Sequence, residues 1–265
     1  MTAIALTIAG SDSGGGAGIQ ADLKTFSARG VYGASVITAL TAQNTRGVQG
    51  IHDVPPDFVA AQIDSVLSDL KVGAVKIGML SRPAVIEAVA AGLARHAVTT
   101  VVLDPVMVAA SGDKLLSDDA IETLRAVLLP RALVVTPNLP EAAALLGEPM
   151  AETEDAMRGQ GERILAMGPK AVLIKGGHAS GPESVDLLVE EAGVTRLSAP
   201  RVATRNTHGT GCTLSSAIAA ELAKGASLVD AVRAAKAWLS RALAAADTLE
   251  IGSGHGPVHH FHEFW

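Results

Sequence analysis

What most constrains the fold of this chain is a rhythm. Short aliphatic runs at residues 4–9, 36–40, 74–77, 101–103, 133–135 and 171–174 alternate with longer amphipathic stretches such as 56–70, 83–95 and 118–128. The runs are rich in Val, Ile, Leu and Ala and lack polar alternation, as strands covered on both faces require. Such alternation predicts an α/β fold, a mostly parallel, doubly wound sheet between two helix layers in an αβα arrangement. Aromatic residues make up only 3% of a chain that is 48% hydrophobic. The core must therefore be filled with small aliphatic side chains, which suits strands packed under Ala-rich helices. After Lys175 the pattern changes. Residues 185–190 and 195–197, turning around Gly193, read as an antiparallel hairpin at a sheet edge. Residues 210–224 and 228–246 read as two closing helices. No repeat or linker interrupts the 265 residues, so residues 1–265 are expected to form one domain.

Several classes of function are disfavoured at once. The net charge is -6, and no basic cluster is dense enough to follow a phosphate backbone, which argues against nucleic acid. No window of about 18 apolar residues exists to span a membrane. The start, Met1 to Leu6, lacks a basic segment and reads as a first strand rather than a signal peptide. Cys212 is the one cysteine and cannot form an internal disulfide, so a cytoplasmic location is expected.

In sheets of this kind ligands bind beyond the carboxyl ends of the strands. Polar and glycine residues gather there: Gly10-Ser11-Asp12, Gln43-Asn44, Gly78-Met79, Asp104-Pro105, Thr136-Pro137-Asn138 and Lys175-Gly176-Gly177. The segment Asn206-Thr207-His208-Gly209-Thr210-Gly211-Cys212-Thr213 precedes an apolar helical run. Its glycines permit a tight turn, and the free N–H groups of the helix start make an anion pocket suited to phosphoryl transfer. A plain helix start capped by Thr210 is the alternative. Cys212 falls in the first helical turn, where a thiol pKa is expected below its usual value of about 8.5, so a thiolate could take a proton from a substrate hydroxyl. A small buried hydrophobe is the other reading.

Residues 10–18 are glycine-rich, yet no Gly-Lys-Ser/Thr ending follows, so they do not make a P-loop. The dinucleotide pattern also needs an acidic residue about twenty positions on, and none stands between Asp22 and Asp53. The loop is better suited to close backbone approach to a small substrate. Gln43 can donate and accept together, as an aminopyrimidine edge requires, or be a loop residue only. Asp104, Asn138 and Glu141 could hold magnesium, often through water, or serve turns and a helix start. Lys175 could meet a nucleotide phosphate or be a solvated strand end. His255, His259, His260 and His262 lack zinc-like spacing and read as a surface tail.

These segments closely resemble the hydroxymethylpyrimidine/phosphomethylpyrimidine kinases of thiamine biosynthesis, within the ribokinase-like superfamily. The carrying residues are the run 9–22, Thr41 to Thr45, Lys76 to Leu80, Asp104 to Met107, Thr136 to Ala142, Lys175 to His178, His208 to Cys212 and the tail Gly254 to Val258, in the family's order. The resemblance implies ATP and Mg2+ as cofactors and phosphorylation of a hydroxymethylpyrimidine and then of its monophosphate. It implies that Gln43 reads the pyrimidine, with Ala17, Asp22 and Met79 shaping its pocket. Gly209, Thr210 and Gly211 would form the anion hole and Cys212 the base, where most of the superfamily carries Asp. Asp104 and Glu141 would organise magnesium, with Asn138 near the phosphates and Lys175 on the nucleotide. A homodimer is also implied. Pyridoxal kinase activity on the same fold and a non-catalytic pyrimidine sensor are the rival readings. The intact Gly-Thr-Gly-Cys set counts against the sensor.

Overall fold

In the computed structural model the described residues are 2–107, 116–178 and 181–265. Met1, which begins the segment read as a first strand, lies outside them. The strands are β1 (Ile4–Ser11), β2 (Tyr32–Asn44), β3 (Gly47–Asp53), β4 (Ala74–Ile77), β5 (Val101–Leu103), β6 (Val134–Val135), β7 (Ala171–Lys175), β8 (Glu183–Glu190) and β9 (Gly193–Pro200). The helices are α1 (Gly18–Ala28), α2 (Pro56–Leu67), α3 (Pro83–Arg95), α4 (Asp118–Thr123), α5 (Leu139–Leu146), α6 (Glu154–Leu165), α7 (Thr210–Ala223) and α8 (Leu228–Ala244).

One sheet carries the strands in the order β3-β2-β1-β4-β5-β6-β7-β8-β9. Its centre, β2 to β7, is parallel, and both edges are antiparallel. The strand order reverses at β1, which lies between β2 and β4. Such a switch point opens a crevice beyond the strand ends.

Alternate strand residues point to opposite faces, and two cores follow. Leu6, Ile8, Val75, Ile77, Val101, Leu103 and Val135 pack with residues of α2 to α6. Ala5, Ala74, Val102, Val134 and Leu173 pack with Phe26 of α1 and with α7 and α8. This is the expected three-layer arrangement. Among the described residues no helix is long and apolar enough to cross a membrane.

The structure departs from the sequence reading in four places. First, β2 runs on to Asn44, so Gln43 lies within the strand rather than after it. Only Val36, Thr38 and Ala39 of this strand are buried, so the apolar stretch 36–40 marks its middle and not its end. Second, β3 was not expected, because most of its residues are exposed and it carries no buried alternation. It closes a hairpin on β2, with Asn44 opposite Gly47. Third, the helical stretch at 118–128 is α-helical only to Thr123 and continues as a π-helical turn, Leu124–Leu128. Fourth, of the tail histidines only His255 lies at the surface as expected. His259 and His260 are each 5% exposed, and His260 Nε2 lies 3.0 Å from Thr213 Oγ1. Burial pushes the His260 imidazole down to about 3, so it packs as a neutral ring. The tail fills the space beside α7 and α8, with His259 N donating to Ala242 O. Among the described residues no group of three or more His, Cys, Asp or Glu side chains is arranged to hold a metal.

Candidate active site

The crevice at the switch point is a cavity of about 740 Å³. It collects Ala17, Gln43, Met79, Asp104, Asn138, Glu141, Lys175 and the turn Gly209-Thr210-Gly211-Cys212 from separate strand ends and helix starts. Asp22 is the exception among the expected residues. It is fully buried under the cavity floor and reaches the cavity only through Lys76. Lys76 Nζ donates to both Asp22 carboxylate oxygens at 2.9 Å and itself lines the cavity. The placement has a simple cause. Asp22 sits on the inner face of α1, where its carboxylate also accepts from Thr7 Oγ1 and Ser216 Oγ, each at 2.6 Å.

Gly209 caps α7 at φ 75°, a left-handed conformation that favours glycine. A Cβ there would stand 1.9 Å from Gly16 O. The two glycine-rich segments therefore interlock, and the first turn of α7 opens into the cavity. N–H groups of such a turn have no intrahelical partner, although Thr210 N donates to Thr207 O at 3.2 Å. Lys175 Nζ is 3.3 Å from where a Cβ on Gly211 would lie, so the helix start and the ammonium are adjacent.

Lys175 Nζ lies 2.9 Å from Asp104 Oδ1 and 3.8 Å from Glu141 Oε2. Asp104 also accepts from Thr136 Oγ1 at 3.1 Å and from Ser215 Oγ at 3.2 Å. Burial disfavours its charge, but the ammonium groups of Lys175 and Lys76 hold its carboxyl below the usual range. Glu141 and Asn138 form a capping box at the start of α5. Glu141 Oε2 accepts from Asn138 N at 2.8 Å, and Asn138 Oδ1 accepts from Glu141 N at 2.9 Å. The Asn138 side chain is thus left with its NH2 group for any ligand. Burial pushes the Glu141 carboxyl up to about 7, with Lys175 opposing and the Asp104 charge adding. For Lys175, burial is outweighed by Asp104 and Glu141, which hold its ammonium well above the usual lysine range.

Cys212 does not behave as its helix position suggests. Burial pushes its thiol up to about 11, with Asp22 and Asp104 adding to the rise. Lys76 and a hydrogen bond from the Gly18 N–H act in the opposite direction but do not prevail. Cys212 keeps some contact with solvent through the cavity. The protein packed around the sulfur still removes most of the water that would stabilise a thiolate.

Residues 10–18 wrap a carboxylate of their own. Asp12 Oδ1 accepts from Gly14 N at 2.8 Å, and Oδ2 accepts from Gly16 N at 3.0 Å and Ala17 N at 2.8 Å. The loop N–H groups that a phosphate would need are therefore occupied, in keeping with the missing P-loop ending. His208 Nε2 stands 2.9 Å from Asp12 Oδ2. Burial raises the Asp12 carboxyl, but His208 and the loop amides outweigh it and hold it below the usual range. The sequence reading missed Asp12, His208 and Lys76 as site-building groups. An Asp two residues before a glycine is an Asx-turn signal, and a Lys inside a short apolar strand needs a buried partner.

A doubly wound αβα sheet with a glycine-flanked helix start facing a lysine–carboxylate cluster is the architecture of a ribokinase-like small-molecule kinase. A sequence profile described as phosphomethylpyrimidine kinase matches residues 12–259. The hydroxymethylpyrimidine/phosphomethylpyrimidine kinase of Salmonella typhimurium is 62% identical over 261 residues, 98% of each chain. Among solved structures, an ADP complex of Bacillus subtilis pyridoxal kinase matches with a TM-score of 0.91 at 38% identity, covering 98% of both chains. Phosphomethylpyrimidine kinase from Clostridium difficile matches with a TM-score of 0.81 at 46% identity, covering 91% of this chain and 99% of that one. The chain belongs to the phosphomethylpyrimidine kinase family and is a kinase.

Proposed function

We propose that this kinase transfers the γ-phosphoryl group of ATP to 4-amino-5-hydroxymethyl-2-methylpyrimidine, and then phosphorylates the monophosphate to the diphosphate, for thiamine diphosphate synthesis. The observation that carries the reading is the meeting, in one cavity, of a two-sided amide, a helix start and a lysine–carboxylate cluster: Gln43, Gly209 to Cys212, and Lys175 with Asp104. The names of the similar kinases support the substrate, and the ADP complex of the pyridoxal kinase supports the nucleotide. In this reading Gln43 holds the pyrimidine against Ala17 and Met79, and Asp22 acts from beneath through Lys76. The N–H groups of Gly209, Thr210 and Gly211 stabilise charge on the transferring phosphoryl. Lys175 and the Asn138 amide face the nucleotide phosphates, and Cys212 accepts the hydroxyl proton. The whole chain acts as one unit, because β1 to β9 form one sheet.

The donor set fits magnesium as an outer partner. Asp104 and Glu141 offer oxygens near Lys175 but already share them with N–H and O–H groups, which suits a hydrated ion held mainly by nucleotide oxygens. When bound, Mg2+ would neutralise phosphate charge. Because the Glu141 carboxyl ionises at about 7, the Mg2+ concentration for half-maximal rate should fall as pH rises from about 6 to 8. Glu141→Gln keeps the capping box, since Gln serves it equally, and should abolish the protein's share of that dependence. Titrating Mg2+ for both proteins at three pH values checks this; superimposable curves would mean that Glu141 takes no part.

Gln43→Ala should raise the KM for the pyrimidine with little change for ATP. One net hydrogen bond, worth about 0.5–1.5 kcal/mol, corresponds to a few-fold to about tenfold. Steady-state kinetics with each substrate varied in turn reads it.

A second reading, pyridoxal phosphorylation, is favoured by the 0.91 TM-score to a pyridoxal kinase. An ATP-dependent assay across hydroxymethylpyrimidine, its monophosphate and pyridoxal, compared by kcat/KM, tests both; no turnover of either pyrimidine would sink the first. The homodimer that the resemblance implies is tested by sedimentation equilibrium. The lone cysteine supports a cytoplasmic location.

A further inference from the structure

The side-chain amide of Gln43 is held at both ends. As placed, Gln43 Nε2 lies 3.4 Å from His208 Nε2 and Gln43 Oε1 accepts from Thr41 Oγ1 at 3.1 Å. A half turn about the last side-chain bond exchanges the amide oxygen and nitrogen, so the network must decide which is where. Asp12 decides it. Its Oδ2 is an acceptor 2.9 Å from His208 Nε2, so the imidazole proton sits on Nε2, in the neutral ring and in the charged ring alike. An N–H cannot usefully face another N–H. The Gln43 arm beside His208 is therefore the carbonyl oxygen, and the NH2 group faces Thr41. Thr41 can receive it, because its own hydroxyl hydrogen goes to Ser11 O at 2.8 Å. The opposite orientation would set a bare ring nitrogen against the Asp12 carboxylate and compete with the Thr41–Ser11 bond.

The imidazole has little freedom to move. A Cβ on Gly16 would stand 2.4 Å from His208 Cδ2, so the ring occupies the space that glycine leaves. His208 N donates to Gly256 O at 3.0 Å, which ties the residue to the tail.

We propose that His208, oriented by Asp12, is a specificity-determining positioning residue that locks the Gln43 amide in one orientation. The locked amide offers a ligand one N–H and one carbonyl lone pair in a fixed order. An aminopyrimidine edge presents a ring-nitrogen acceptor beside an amino donor. A 4-oxopyrimidine presents the reverse, a ring N–H beside a carbonyl. A freely flipping Gln43 accepts either; a locked one accepts one and rejects the other. The proposal rests on Gln43 reading the pyrimidine, as proposed above.

The test is the ratio of kcat/KM for the 4-amino substrate to that for its 4-oxo analogue, at saturating ATP. His208→Phe should lower this ratio by about two- to five-fold, less than a full hydrogen bond, because the single Nε2–H that faces the amide is shared with Asp12 Oδ2. The change should appear in the pyrimidine KM, with the ATP KM unchanged. His208→Gln, which restores an N–H donor, should recover most of the ratio. Thr41→Val removes the opposite partner and should lower the ratio in the same direction, so it gives the answer even where His208→Phe does not fold. If Gln43→Ala raises the pyrimidine KM while His208→Phe or Thr41→Val leaves the ratio at the parent value, the lock is overturned and the role of Gln43 stands. If Gln43→Ala changes nothing, both fall together.

Discussion

Cys212→Ala should lower turnover of the hydroxymethyl acceptor by about 10²–10⁴-fold, the range of general-base catalysis, and should largely spare the monophosphate acceptor. The two acceptors differ in one respect. A hydroxyl must lose its proton as it attacks, whereas a phosphomonoester, with a second pKa of about 6, is already ionised at neutral pH. A base is needed for the first step only. The thiol titrates at about 11, so few molecules carry the thiolate at neutral pH. The hydroxymethyl rate should then climb with pH, by up to tenfold per unit, without a plateau below about 11. The monophosphate rate should lack that limb. Iodoacetamide labelling should follow the same curve and should slow under saturating pyrimidine. Cys212→Asp should restore part of the first step, because a carboxylate is intrinsically far more acidic and stays ionised where a thiol does not. An alanine variant with full turnover on the hydroxymethyl acceptor would remove Cys212 from the mechanism.

The same residue shows where sequence reasoning stops. Its place in the first turn of α7 was legible, because Gly209, Gly211 and the apolar run that follows specify a helix start. The direction of its pKa was not. That depends on Asp22 and Asp104 and on the protein packed around the sulfur, which come from distant parts of the chain. The parallel strands were legible where both faces are buried, and β4 and β5 were bounded to the residue. The exposed β3 left no apolar trace and became visible only through its pairing with β2. Asp22 illustrates a third limit. Its position on α1 could be read, but whether it faced the cavity or the floor depended on Lys76, one strand away. The tail histidines failed for a related reason, since burial of His259 and His260 is decided by a surface that α7 and α8 create together.

Lys76→Met should be the most destabilising single change near the site. Lys76 and Asp22 are both 0% exposed. Their two 2.9 Å contacts are what make a charge tolerable in the layer between β4, α1 and α7. Removing the ammonium strands the Asp22 carboxylate, and breaking a buried pair in this way costs about 3–5 kcal/mol. Urea unfolding should show a lower midpoint with an unchanged slope. Adding Asp22→Asn should recover more than half of that loss, because the neutral amide removes the stranded charge while its oxygen still accepts from Thr7 or Ser216. The double variant then separates two roles of Lys76. With stability largely restored, the thiol of Cys212 lacks both the Lys76 cation that favours its thiolate and the smaller opposing influence of the Asp22 charge, so the net change still disfavours the thiolate. Alkylation at fixed pH and hydroxymethyl turnover should therefore remain below the parent. If both return to parent values along with stability, the Lys76–Asp22 pair has no net influence on the thiol and serves packing alone.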